Sequence, residues 1–209
     1  MPRLILLCIA TLCLALLSIG CAGPPVAQVD SMGEAHREEI YLIQPGQTEV
    51  RPNDLYFAEY KKHLADLLQN LGYQLTEDNR QATAVVWLSY EAKQDIVGGG
   101  ASGTRVGVGI GTGGYHGGWS LFGLGIGSPL NDDSPSMYWR YVIVLDAVTF
   151  SAIDAVAEQS TLKSLWKISI VSSGRDSNLR TIFPEMLKAA AEYIGRDSGG
   201  LVTVNISPN

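Results

Sequence analysis

Three cysteines, three histidines and one acidic pair are the residues of this 209-residue chain best suited to chemistry, and their spacing restricts what that chemistry is. Cys8 and Cys13 lie inside an unbroken apolar run, Leu4 to Leu17 (LILLCIATLCLALL), whereas Cys21 follows it behind Ser18-Ile19-Gly20. A thiol can be a nucleophile, a metal ligand or an acyl acceptor. His36, His63 and His116 stand far apart, and none falls in HExxH or another spacing that gathers metal ligands. His63 reads as a helix-surface residue within reach of Glu59, and His116 as a loop residue. Asp132-Asp133 beside Asn131 offers hard oxygen atoms, but the loop lacks the spaced ligands and closing Glu of a calcium loop. No GxSxG elbow is present. Gly109 to Gly114 formally fits GxGxxG, yet no helical pattern follows it, and there is no GxxxxGK[ST] phosphate loop. The expectation is a non-enzyme without metal or cofactor, a hydrolase assembled only in three dimensions being the remaining catalytic option.

Cys21 therefore carries the clearest chemistry. Met1-Pro2-Arg3 is a short positive region, the fourteen apolar residues after it are too few to span a bilayer, and Ala22-Gly23-Pro24-Pro25 breaks any helix beyond. The arrangement resembles a bacterial lipoprotein signal, in which diacylglycerol is attached to the cysteine thiol and cleavage leaves that cysteine first. Ser18 stands where such signals usually carry Leu, with Leu17 one residue earlier. An ordinary secretory peptide cut nearby, or a short uncleaved anchor, are the alternatives. The resemblance implies a membrane partner through lipid on Cys21, and Ala22, in place of the Asp that favours inner-membrane retention, implies a periplasm-facing position on the outer membrane.

Removal of residues 1–20 costs Arg3 alone among charged residues, which takes the formal charge from −6 to −7. No Lys/Arg block follows a phosphate backbone, so nucleic-acid binding is excluded. One remaining cysteine cannot form an internal disulfide, so stability must come from a packed core, which a chain with 46% hydrophobic residues can build.

Residues 21–38 read as the lipidated cysteine and a flexible tether, and 39–207 as one domain. Glu39 to Ile43 is a short strand ended at Pro45-Gly46. Asn53 or Asp54 caps a helix running to Leu71, with Gly72 past its end and Phe57, Tyr60, Leu64, Leu67, Leu68 and Leu71 as its apolar stripe. Lys62 and Asp66 lie on its solvated face. Tyr73 to Leu75, Ala84 to Tyr90, Tyr138 to Val148, Leu165 to Val171 and Leu201 to Ile206 read as strands. The second of these is apolar on both faces, so it belongs centrally in a sheet covered on both sides. A second helix runs to Ile194 from Ser177 or Thr181, before Gly195. A Thr181 cap would put Pro184 in the first turn, where proline is tolerated. The fold class is α/β (α+β): a mixed sheet of about six strands with two main helices packed on one side.

Residues 98–135 form a glycine-rich insertion. Residues 98–127 hold 14 of the 23 glycines, and no charged residue occurs from Val106 to Asn131. Val106, Val108 and Ile110 alternate with glycine, as do Phe122, Leu124 and Ile126, so a fold-back at Tyr115-His116 would put apolar side chains on one face and bare backbone on the other. A disordered low-complexity insertion, packing within the domain, and insertion into a membrane or pairing with another subunit are the options, although each arm is shorter than the ~9–11 residues of a membrane strand. Trp87, Trp139 and Trp166 lie on strands and read as core. Trp119, with Tyr115 and His116, is the candidate partner contact.

Val85 to Tyr90 (VVWLSY), the glycine-rich run, Val144-Leu145-Asp146, Leu165-Trp166 and Ile182 to Leu187 (IFPEML) occur in order behind the lipoprotein-type leader. Over roughly residues 39–207 this resembles the bacterial lipoprotein family named domain of unknown function 4136. That family usually joins the strand ending in Asp to the strand carrying Leu-Trp by a short turn, whereas Ala147 to Ser164 intervene here. The resemblance implies no catalytic residues. The functional expectation is a lipid-anchored envelope protein with a non-catalytic binding or scaffolding domain, acting on an envelope protein or by self-association. The alternative is an accessory subunit of an envelope export or transport assembly.

Overall fold

A computed structural model describes residues 25–97, 136–149, 163–175 and 177–207. Its elements are β1 (Val26–Gly33), β2 (Ile40–Pro45), α1 (Leu55–Asn70), β3 (Gln74–Leu75), β4 (Ala84–Val97), β5 (Ser136–Thr149), β6 (Ser164–Gly174), α2 (Leu179–Ala189), a 3₁₀ turn (Ala191–Tyr193) and β7 (Val202–Asn205). The strands form one seven-stranded sheet in the order β3-β2-β4-β5-β6-β1-β7. β2 runs parallel to β3 and β4, and every other neighbouring pair is antiparallel. This is a mixed α+β fold with two main helices.

The helices cover one face of the sheet. Val86 and Leu88 of β4, Ile143 and Leu145 of β5, and Ile168 and Ile170 of β6 alternate inward, as the two-residue strand period requires, and meet Phe57, Leu64 and Leu68 of α1 and Phe183, Met186 and Leu187 of α2 in one core. On the opposite face Leu42, Val85 and Val148 form a smaller buried cluster with Trp87 packed against it. β4 thus lies between β2 and β5 with apolar side chains on both faces, as its composition predicts. Trp166 is fully buried among Tyr41 and Tyr73.

α1 begins where its sequence says. The Asp54 carboxylate accepts from the Phe57 N–H at 3.0 Å, and Gly72 takes φ +85 past the carboxyl end. Leu64 and Leu68 are buried, whereas Leu67 is half-buried. Glu59, expected within reach of His63, pairs with Arg180 of α2 at 2.7 Å, joining the two helices.

Three expectations need correction. Residues 26–33 of the expected tether form β1, which sits inside the sheet between β6 and β7. Ala27, Val29 and Ser31 point inward from it, alternating with Gln28 and Asp30, and their small size weakens the apolar signal of the strand. The sheet accordingly has seven strands where about six were expected. α2 begins at Leu179, so Pro184 is its sixth residue and lies beyond the first turn. Pro184 has no N–H for the Arg180 carbonyl, but Arg180 is exposed and water can satisfy that acceptor. The helical pattern expected to reach Ile194 tightens after Ala189 into the 3₁₀ turn, and Gly195 follows with φ +69.

β5 and β6 pair directly despite the residues between them. Asp146 faces Lys167 and Ala147 faces Trp166, with one bulge between Ala147 and Val148. The 14-residue pairing of β4 with β5 runs without a shift from Ala84↔Thr149 to Val97↔Ser136.

Candidate functional site

Both helices start at the same end of the sheet, and a cleft of about 800 Å³ opens between their amino termini. It is built from the chain before α1 (Glu49, Val50, Asp54), from Tyr56 and Tyr60 of α1, from Tyr90 to Ala92 of β4, and from Ser177 to Arg180. The sequence positions each part. β2 stops at Pro45, which has no N–H to extend a ladder, and Gly46 donates to the Leu88 carbonyl at 2.8 Å. The Gln47 amide then donates to the Tyr90 carbonyl at 2.8 Å, so this connection is sewn to β4 before Asp54 caps the helix.

The floor is aromatic. Tyr60 stacks on Phe183 at 4.3 Å between ring centroids and meets Tyr90 edge-on at 4.6 Å. Burial pushes the Tyr90 phenol up to about 12, and the neighbouring Asp54 carboxylate acts in the same sense. Burial raises Tyr60 too, followed by the charge of Glu59, while Arg180 opposes the shift. Both phenols therefore stay neutral near physiological pH. They can offer a hydroxyl and a ring face, and they cannot act as bases there.

The rim carries the carboxylates of Glu49 and Asp54, Glu91 alternating to the opposite sheet face, while the Arg180 guanidinium is engaged by Glu59. An aromatic floor under a carboxylate rim is suited to a ligand with an apolar body and a positive or hydrogen-bond-donating group.

A second aromatic cluster, Tyr41, Tyr73 and Trp166, is fully enclosed. Tyr41 donates to the His36 carbonyl at 2.8 Å, and its pKa is raised to about 12, chiefly by burial. The Trp166 N–H lies on the Tyr41 side and partly offsets that rise, at a geometry too poor for a hydrogen bond. This cluster is core.

Of the residues singled out from sequence, Cys21, Tyr115, His116 and Trp119 lie outside the described residues, as does the acidic pair Asp132-Asp133. His36 contacts Glu38 at 3.1 Å on the surface, and His63 is half-buried on α1. Among the described residues no three His, Cys, Asp or Glu side chains are grouped to hold a metal ion, and no helix is long and apolar enough to cross a membrane. The cleft itself was not foreseen. Tyr60 and Tyr90 had only the signal of ordinary core residues, and nothing in their spacing linked them to Glu49 or Ser177.

No family model and no curated protein sequence matches the chain. Among solved structures it is similar to a PelC dodecamer from Paraburkholderia phytofirmans, at 12% identity and TM-score 0.38, over 82% of this chain and 98% of that one. It is also similar to a PDZ domain protein from Parabacteroides distasonis, at 9% identity and TM-score 0.42, over 90% of this chain but 40% of that one. Neither likeness is strong enough to assign a family or a role.

Proposed function

We propose that this chain is a lipid-anchored envelope protein, acylated on Cys21 and facing the periplasm from the outer membrane, whose domain binds or scaffolds without catalysis. On this reading it is a lipoprotein of the domain of unknown function 4136 type. The observation that carries the proposal is the placement of Cys21 after a fourteen-residue apolar run with a positive start, with three residues between them. Two or more acyl chains suffice for stable anchoring, since each buried CH₂ contributes roughly 0.8 kcal/mol. The cleft floored by Tyr60 and Tyr90 supports a binding role: its phenols stay protonated, and its rim is acidic.

Cys21→Ser tests the anchor. The parent should incorporate labelled palmitate and fractionate with membranes, and the variant should be released to the soluble periplasm or retain its leader. A Cys21→Ser protein that has lost its leader yet stays with membranes would refute the reading.

A second reading, an accessory subunit of an export or transport assembly, is favoured by the pairing of Val97 with Ser136. The strand residues that flank 98–135 in sequence face each other across this pair, and on this reading Trp119, Tyr115 and His116 would make the contact. In-cell crosslinking from position 119 should then capture one envelope protein or a second copy of the chain. Failure to capture either rejects this second reading.

A further inference from the structure

We infer that the anchor holds one particular end of the domain against the bilayer: the end where β1 begins, β6 finishes and both helices have their amino termini. The inference rests on the proposed acylation of Cys21. Only four residues separate Cys21 from Val26. At about 3.4 Å per residue, the first residue of β1 lies within about 17 Å of the acylated cysteine. Such a leash is shorter than the domain is long, so it selects an orientation.

The sheet register says which residues that orientation presents. Pro25 still follows the line of β1, its carbonyl accepting from the Ile206 N–H at 2.8 Å. Ala27 is level with Ser172, Ser172 with Tyr141, and Tyr141 with Ala92. Val26 therefore stands level with Lys93, and the β4–β5 ribbon continues four residues further in the same direction, to Val97↔Ser136. Those four residues add roughly 13 Å. The ribbon thus brings its end close to the level of the headgroups.

The helices agree with this polarity. α1 starts beside Tyr90, and the chain after it pairs Gln74 with Ile40 at the far end of β2. α2 follows the end of β6, and the turn after it reaches Ser31. Both helices thus run away from the membrane, and the tyrosine-floored cleft lies in the half of the domain nearest to it. Charges on this end are mixed: Lys93 and Arg175 are offset by Glu49, Asp54 and Glu91. Covalent reach, rather than attraction to anionic lipid, sets the orientation.

The full lipidated protein tests this in vesicles of phosphatidylethanolamine and phosphatidylglycerol carrying a headgroup-bound nitroxide. The mature chain has no cysteine besides the acylated one, so Arg175→Cys and Asn79→Cys each take a single fluorophore. These exposed positions lie at opposite ends of the strands, roughly 35 Å apart along them. The Arg175→Cys label should be quenched and the Asn79→Cys label spared, at low and high salt alike. Inserting about twenty Gly/Ser residues after Ala22 should abolish the difference. Equal quenching of the two labels without that insertion, or preferential quenching at position 79, overturns the inference when mass spectrometry shows Cys21 acylated. A mass without acyl chains overturns the anchor itself, and the inference with it.

Discussion

Ser31 and Ser198, 167 residues apart, clasp each other with two reciprocal hydrogen bonds: the Ser31 N–H donates to the Ser198 hydroxyl at 2.9 Å, and the Ser198 N–H donates to the Ser31 carbonyl at 2.9 Å. The clasp ties β1 to the chain that leaves α2. Ser31 is buried, and its hydroxyl oxygen also lies 2.7 Å from the carbonyls of Tyr193 and Arg196. With one hydrogen to donate, it serves one of them at a time.

Ser31→Ala should cost about 1–3 kcal/mol, because it removes a buried hydroxyl that donates to these carbonyls. Ser31→Cys, which keeps a weak donor, should cost less. Urea unfolding of the three proteins checks the order. A neutral Ser31→Ala would mean that the backbone half of the clasp suffices.

Leu64 and Leu68 are fully buried on α1, Leu67 is half-buried and Lys62 is exposed. Leu64→Ala and Leu68→Ala should each cost about 2–5 kcal/mol. Leu67→Ala should cost less, and Lys62→Ala should stay within about 0.5 kcal/mol of the parent. Chemical denaturation reads all four, and equal losses across them would contradict the packing of this helix.

Asp146 sits on the sheet face opposite the helices, 3.7 Å from the Lys167 ammonium and 3.4 Å from the Ser164 hydroxyl. Burial raises its pKa above the ordinary 3.8, despite the opposing pull of Lys167. A folded-state pKa above the unfolded one favours folding at low pH. The benefit is complete below 3.8 and is lost as pH rises through the raised value. Asp146→Asn should therefore gain stability relative to the parent as pH rises from below 3.8 to neutrality. Denaturant melts at the two pH values check this, and a constant difference would show that Asp146 titrates normally.

Val97 and Ser136 are direct partners at the end of a register that never slips. A short Gly-Ser loop replacing 98–135 should close the β4–β5 hairpin at little cost, since loop-closure entropy changes slowly with length. The deletion variant should melt in one cooperative transition near that of the parent. Loss of that transition would mean that the removed residues are needed by the core.

Where sequence signals are local, they can be read directly. Asp54, the stripe from Phe57 to Leu68 and Gly72 define α1 within a few residues, because cap, periodicity and stop all lie on the same segment. β1 was hidden because its inward residues are Ala27, Val29 and Ser31. A serine reads as solvent-facing until the carbonyls of Tyr193 and Arg196 are seen around it. Pro184 suggested a helix start at Thr181, yet the exposure of Arg180, whose carbonyl water can serve, allowed α2 to begin earlier. The cleft was illegible for a further reason: Glu49, Tyr90 and Ser177 come from three distant stretches that only the sheet order brings together.

The position of β1 also governs the order in which the molecule can be completed. Its residues are the first of the domain to be synthesised, yet Ala27 pairs with Ser172 on one side and Val204 on the other. Partners so distant in sequence make ring closure slow, and the opening strand waits for residues near 172 on one side and near 204 on the other. A chain halted before residue 202 would leave one side of β1 unpaired, an open edge ready to take another strand. The sheet is thus finished from its last strand, with β7 closing over a β1 that has waited since the domain began.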